Sequence, residues 1–284
     1  MDKDPIVALY TQDQRIDVQY PSMRREVVEN IVRQVNTAPD GDSAVIYSRL
    51  DETDVEDTIR EQVSYFESIG QDFEWKVYDY DTPPDLKERL AAHGFEVEDS
   101  DAIMVLDLEE APEILFRPTG NTIKCITLPE GIKDVIAIEE AVWGEDYSGL
   151  GHFLERTLAE HPDQLSVYMA YVDRVPASVG WIIFPERSQF GSLWGGSTLR
   201  EYRGRGLYTS LLGVRAQETR ERQVRYLTVD ASPMSRPILE KFGFQIIAFA
   251  YACKWKVGKS GIGDSGIGKS GDQDSGTRDT VTWA

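Results

Sequence analysis

The sequence is short of cysteine, histidine and positive charge, and each shortage removes a class of function. Its 284 residues include two cysteines and three histidines. Cys125 and Cys253 sit in apolar, strand-like runs without metal-ligand spacing. They are expected to be small buried hydrophobes in a reducing compartment, not a disulfide framework or a zinc site. His93, His152 and His161 show no ligand spacing either, so no metal is assigned. Lysine and arginine number 30 against 49 aspartates and glutamates, a net charge of −19. That balance argues against a nucleic-acid partner, because phosphate backbones are held by basic stripes. It suits solubility or a cationic substrate. Long apolar runs are missing as well, and none is long enough to span a membrane. The opening MDKDPIVALYTQDQ has no basic stretch leading into an apolar one. No signal peptide is expected, and the reading is a soluble, cytoplasmic protein.

What is present is material for a sizeable core, 41% hydrophobic and 10% aromatic. The length suits one large domain or two of ordinary size. In the first hundred residues MRREVVENIVRQVN places Val27, Val28, Ile31, Val32 and Val35 on a helical period. SAVIYSRL reads as a strand, DVEDTIREQVSYFESIG as a helix capped by Asp54, and FEWKVYDY as a strand. A short helix, DLKERLAAHGF, and the strand AIMVLDL close this half, and a linker follows near 109–121. The second half reads as a strand (NTIKCITL), two helices, two long strands (LSVYMAYVDR, ASVGWIIFPE) and a third through SLWGGST. A helix from about Gly206 to Arg222, the strand VRYLTVDA, a short helix at RPILEKFGF and the strand QIIAFAYACKWK complete it. This mixture indicates an α+β or mixed α/β sheet. The domains expected are 1–115, 120–257 and a tail, 258–284, whose glycine, serine and charge cannot offset the entropy of ordering.

Two stretches compete as phosphate sites. GDSGIGKS, from Gly263 to Ser270, matches the phosphate-loop pattern G-x-x-x-x-G-K-[ST] letter for letter. A working loop of that kind needs a strand before it and an amphipathic helix after it. VGKSGI precedes it and GDQDSGTRD follows, so the match is a by-product of a glycine-serine repeat. Arg203-Gly204-Arg205-Gly206, by contrast, follows a strand and opens a helix whose Leu207, Leu211, Leu212 and Val214 can face a core. Glycines there let the backbone approach a ligand, helix-start amides face an anion, and two arginines add positive potential.

R-x-x-G-x-[GA] after a strand, followed by a short helix ending L-x-x-x-G-F (SRPILEKFGF, Ser235 to Phe244), resembles the GCN5-related N-acetyltransferase family over about Asn121 to Lys256. LAAHGF, ending at Phe95, echoes LEKFGF, ending at Phe244, without an R-x-x-G-x-G before it. The first half therefore looks like a degenerate copy in a tandem arrangement. The resemblance implies a mixed, mostly antiparallel sheet flanked by helices, in two lobes. It implies acetyl coenzyme A as co-substrate and a primary amine of a small molecule or a protein as acceptor. The coenzyme arm would lie along Gly196, Ser197 and Thr198, where Gly195 and Gly196 suit a close approach. Its pyrophosphate would sit over Arg203, Gly204, Arg205, Gly206, Leu207, Tyr208 and Thr209. The family's asparagine is matched by Ser232, Tyr208 replaces the second small residue of the cradle, and Leu239 stands where a tyrosine acid is common. That leaves weaker catalytic candidates. Asp230 is a catalytic acid-base group or a cap for the next turn; Ser235 is a proton donor to sulfur or a helix N-cap. Glu145 and Asp146 are expected on a loop over the acceptor site, and Tyr251 is read as packing. An acyl-coenzyme-A-binding module without catalysis is the alternative function.

Overall fold

The computed structural model describes residues 3–38, 41 and 43–258. The GDSGIGKS match and the expected tail beyond Gly258 lie outside the described residues.

Two stretches of chain repeat one order. The first opens with α1 (Lys3–Tyr10) and a π-helical turn (Thr11–Asp17). It then runs β1 (Met23–Val28), β2 (Ile31–Asn36), β3 (Ser43–Ser48), α2 (Val55–Ile69), β4 (Phe73–Tyr78), α3 (Leu86–Ala92) and β5 (Glu96–Asp107). The second opens with β6 (Thr122–Ile126), α4 (Ile132–Trp143) and α5 (Ser148–Glu160). It continues through β7 (Leu165–Val172), β8 (Val175–Ile183), β9 (Phe190–Thr198), α6 (Leu207–Glu221), β10 (Tyr226–Ala231), α7 (Arg236–Lys241) and β11 (Gln245–Trp255). Three strands, a helix, a strand, a helix and a strand thus occur twice.

The strands form one eleven-stranded sheet in the order β1-β2-β3-β4-β11-β5-β10-β9-β8-β7-β6. Its pairings are antiparallel except β3 with β4 and β9 with β10. The last strand of each stretch crosses into the other: β11 lies between β4 and β5, and β5 lies between β11 and β10. Neither stretch carries its whole sheet alone. The architecture is the mixed, mostly antiparallel sheet flanked by helices that the sequence implies. No helix among the described residues is long and apolar enough to cross a membrane.

The repeated L-x-x-x-G-F ends both short helices in the same way. Gly94 and Gly243 take φ of +94° and +90°, a conformation that costs glycine little. The next amide bonds back to the leucine carbonyl, Phe95 N–H to Leu90 O at 3.1 Å and Phe244 N–H to Leu239 O at 3.3 Å. Both phenylalanines are buried, each in its own apolar cluster.

Three readings are corrected. MRREVVENIVRQVN is not a helix but the β1–β2 hairpin, turning at Glu29 (φ +51°) with Val28 opposite Ile31. Every residue of β2 is buried, Ile31 and Val35 in one cluster and Val32 in another. A strand covered on both faces carries apolar residues consecutively, and here that run imitated a helical period. Asp54 stands at the start of α2, but its carboxylate accepts from Asp51 N–H at 2.7 Å and does not cap the helix. Cys253 is buried, its thiol pushed up to about 12 by burial, whereas Cys125 is exposed on the edge strand β6.

On β4, Phe73, Trp75 and Val77 enter the apolar cluster under α2 and α3, and Glu74 and Lys76 face the other way. Glu74 is 7% exposed, and its Oε1 has no hydrogen-bond partner among the described residues. Burial pushes its carboxyl up to about 8, and the Lys76 and Lys254 ammoniums offset only part of that. A carboxyl that titrates near 8 in the fold and near 4.5 in a free chain takes up a proton on folding between those values. Stability from this group is therefore complete below about 4.5 and is lost as the pH rises through 8. Glu74→Gln should raise the melting temperature by about 5 °C, or ~2 kcal/mol, in mildly alkaline buffer and by almost nothing in acid. Equal shifts at both pH values, followed by circular dichroism, would refute this origin.

Candidate functional site

Strands β9 and β10 pair in parallel only from Phe190 and Tyr226 to Ser192 and Thr228. Beyond that point both continue, β9 to Thr198 and β10 to Ala231, without pairing to each other. A cleft of about 610 Å³ opens between them.

Two glycines shape the open edge of β9. Gly195 and Gly196 take φ of +65° and +105°, beside a register shift against β8. A Cβ at Gly195 would lie 2.3 Å from the Trp181 ring, and one at Gly196 would lie 2.8 Å from the Tyr208 ring. Arg215 of α6, 2% exposed, fixes the bulge from behind. Its Nη1 donates to the carbonyls of Trp181 and Trp194, both at 3.1 Å, and its Nε to Leu211 O at 3.0 Å. Burial pulls this guanidinium down to about 10, which leaves it charged at neutral pH.

After β9 the chain makes a short turn, Arg200–Tyr202, and enters α6 through Arg203-Gly204-Arg205-Gly206. Gly204 and Gly206 take φ of +76° and +73°, so the helix starts from a left-handed residue. The first bond inside the helix runs from Ser210 N–H to Gly206 O at 3.0 Å. The first-turn amides of a fifteen-residue helix thus face the mouth of the cleft.

The structure brings together on this cleft Gly196, Ser197, Thr198, Arg203, Gly204 and Gly206, then Leu207, Tyr208, Thr209, Asp230, Ser232 and Ser235. Arg205 is not on the lining, and its guanidinium lies 5.3 Å from the Tyr202 ring centre. The Ser197 hydroxyl donates to Glu139 Oε2 at 2.7 Å and accepts from Trp143 Nε1 at 2.9 Å. Arg203 Nε donates to Thr198 O at 3.1 Å. Asp230 does not cap the next turn but forms an ion pair with Lys76 of β4. Ser235 stands at the start of α7 without capping it, its hydroxyl donating to Ser232 O at 3.3 Å. Leu239 is fully buried in the core. Glu145 and Asp146 line a separate cavity beside Glu74 and Trp255, so the acidic loop does not cover this cleft.

No protein-family model and no curated protein matches the chain. Solved structures do. A GCN5-related N-acetyltransferase from Kribbella flavida gives a TM-score of 0.64 at 15% identity, over 89% of this chain and 95% of that one. A conserved protein of unknown function from Staphylococcus epidermidis gives 0.63 at 13% identity, over 84% of this chain and 96% of that one. A tandem GNAT protein from the clavulanic acid biosynthesis pathway gives 0.55 at 14% identity, over 86% of each chain. The chain has the GCN5-related N-acetyltransferase fold.

In the first stretch β3 and β4 also part, and the opening between them is filled. β3 and β4 pair in parallel from Ser43 and Phe73 to Val45 and Trp75, then separate. Arg15, 1% exposed, occupies the opening. Its Nε donates to Ile46 O at 2.9 Å, its two amino groups grip Asp81 at 2.8 and 2.7 Å, and its guanidinium lies 3.8 Å from the Tyr78 ring centre. Burial works against its charge, but Asp81 and the nearby tyrosines outweigh that and hold the guanidinium above its ordinary value.

Sequence reasoning missed Tyr10, Gln14, Tyr20, Asp101, Glu139, Trp143, Trp194 and Thr228, which also line the GNAT cleft. Alternation along SLWGGST could have marked Trp194. Glu139, Trp143 and Thr228 come from α4 and β10, while Tyr10, Gln14, Tyr20 and Asp101 reach the cleft only through the exchange of β5 and β11 and the packing of the first stretch, which no local pattern announces.

Proposed function

We propose that the protein transfers the acetyl group of acetyl coenzyme A to a primary amine, in the reducing interior of the cell. The observation that carries this reading is the divergence of β9 from β10 next to the glycine-rich start of α6. The residues present fit the coenzyme. At Gly195 and Gly196 the Trp181 and Tyr208 rings pack where a Cβ would stand, which holds the bulge at the cleft, and β9 presents an edge unpaired with β10 beyond Ser192. Amides along that edge pair with the pantetheine arm as a partner strand would. The Arg203–Thr209 segment holds the pyrophosphate through helix-start amides and the Arg203 charge.

Bound there, the coenzyme would supply a thioester carbonyl to the cleft. β9 amides just beyond Ser192 stabilise negative charge that develops on the carbonyl oxygen. Asp230, ion-paired with Lys76, accepts the proton of the attacking amine, directly or through water. The Ser235 hydroxyl, which also lines the cleft, relays a proton toward sulfur, taking one from water as it gives its own. The first stretch, 1–115, is a degenerate second copy whose own opening Arg15 has closed.

A second reading is coenzyme binding without catalysis, favoured by Leu239, buried where a tyrosine acid is common. The two separate in one assay. Free thiol should appear when the protein is mixed with acetyl coenzyme A and a broad amine panel, and Asp230→Asn should slow its appearance about 100-fold. Tight binding of the coenzyme with no thiol above background for any amine would leave only the binding module.

A further inference from the structure

The cleft has two ends with different builders. The second stretch makes the end at α6 and α7. The first stretch roofs the other end, at the apex where β9 and β10 part. Gln14 Oε1 accepts from the Ser192 hydroxyl at 3.0 Å, and Ser192 is the last residue of β9 paired with β10. Tyr20, 7% exposed, also hydrogen-bonds Ser192, and burial raises its phenol above its ordinary range. Tyr10, 3% exposed, packs beside Phe190.

Lys76 reaches the same place through the sheet. Ala252 lies opposite Lys76 on β11, Ala250 opposite Asp101 on β5, and Ile103 opposite Asp230 on β10. Opposed residues share a face, so Lys76, Ala250, Ala252, Asp101 and Asp230 point the same way. The two alanines leave room for the lysine to cross β11 and β5 to Asp230. Its side chain is 3% exposed, and although burial lowers its affinity for a proton, Asp230, Tyr10 and Glu74 more than restore it.

Two polar atoms of this end have no hydrogen-bond partner among the described residues: the indole Nε1 of Trp194 and the hydroxyl of Thr228. Both atoms are buried, both residues line the cleft, and Thr228 as a whole is 4% exposed. An indole N–H can only donate, so leaving it empty costs free energy that a ligand oxygen would recover. Around it stand the Trp143 and Trp181 rings, and carboxylates at Asp101, Asp230 and Glu139. The chemistry asked for is a cationic amine with an apolar body and an oxygen acceptor, small enough to fit beneath the roof.

We propose that the first stretch of the chain builds the acceptor pocket of the second. That pocket takes a small primary amine bearing a carbonyl or hydroxyl oxygen, not a lysine of a folded protein. This rests on the acetyltransferase reading. In the transfer the amine nitrogen bonds to the acetyl carbon as the carbon–sulfur bond breaks. The nitrogen gives up one proton and the sulfur gains one, leaving an amide and a free thiol.

The test uses the full chain, calorimetric binding of acetyl coenzyme A, and thiol release with three acceptor sets. These are small amino amides and amino alcohols, alkylamines of equal size, and a lysine-containing protein. The oxygen-bearing amines should be preferred in kcat/KM over alkylamines and over the protein. Trp194→Phe, which keeps a ring and removes the N–H, should cut the preference over alkylamines about 10-fold. Lys76→Met should raise the acceptor KM about 10-fold and leave the coenzyme Kd unchanged. Acetylation of the protein lysine as fast as any small amine, or a preference that survives Trp194→Phe, overturns the pocket while leaving the acetyltransferase reading intact. Failure of the coenzyme to bind at all overturns both.

Discussion

Arg215→Met should lower the melting temperature by about 10 °C and weaken coenzyme binding at the same time. The guanidinium is the donor to two carbonyls on neighbouring strands, Trp181 and Trp194, and to Leu211 in its own helix. Methionine fills most of the volume and makes none of these bonds. Each buried acceptor left without a donor costs about 1–3 kcal/mol, so the total is ~3 kcal/mol or more. At 2–4 °C per kcal/mol for a chain of this size, that is the shift expected. Removing a buried charge works in the other direction. Here the partners are carbonyls that stay in place when the charge goes, so the loss of bonds prevails. The effect on coenzyme has a separate cause: the bulge at Gly195 and Gly196 loses its anchor, and the open edge of β9 can close. An Arg215→Met protein with unchanged melting and unchanged coenzyme affinity would show that the bulge holds its own shape.

Gly206→Asp should raise the coenzyme Kd by about 100-fold or more, ~2.7 kcal/mol. Two effects add at one position. The residue sits at φ +73°, where a side chain strains the backbone at the start of α6. The new carboxylate also stands at the positive end of the helix, where the pyrophosphate is to lie, and repels it. The melting temperature should fall by about 2–6 °C from that strain, and no further, because Gly206 is exposed and no packing is lost. Gly206→Ala separates the contributions, since it keeps the strain and omits the charge. Equal losses in the two variants would assign the effect to backbone geometry alone.

The glycine-rich end of the cleft was legible because its signals are local. A left-handed glycine before a helix, paired glycines in a strand and the L-x-x-x-G-F closure each write a backbone requirement directly into residue type. The fold class followed from the same elements. The β1–β2 hairpin was not legible, because the exposed Val27 and Val28 of β1 join Ile31, Val32 and Val35 of the doubly buried β2 in what reads as one helical period. The end of the cleft that the first stretch roofs was hidden for another reason. Lys76 and Asp230 lie 154 residues apart in sequence and meet only because β5 and β11 change places. Arg15, which closes the opening between β3 and β4, looks like any solvated arginine until the π-helical turn turns it inward.

The central claim is that one coenzyme site exists, on Arg203-Gly204-Arg205-Gly206 and the open edge of β9. Calorimetric titration of acetyl coenzyme A tests it most directly, with the intact chain, the Gly206→Asp variant and a chain ending at residue 258. The account predicts one coenzyme per chain, near-complete loss of binding in Gly206→Asp, and unchanged binding without residues 259–284. Two coenzymes per chain, full affinity in Gly206→Asp, or binding that disappears with the GDSGIGKS segment would contradict it.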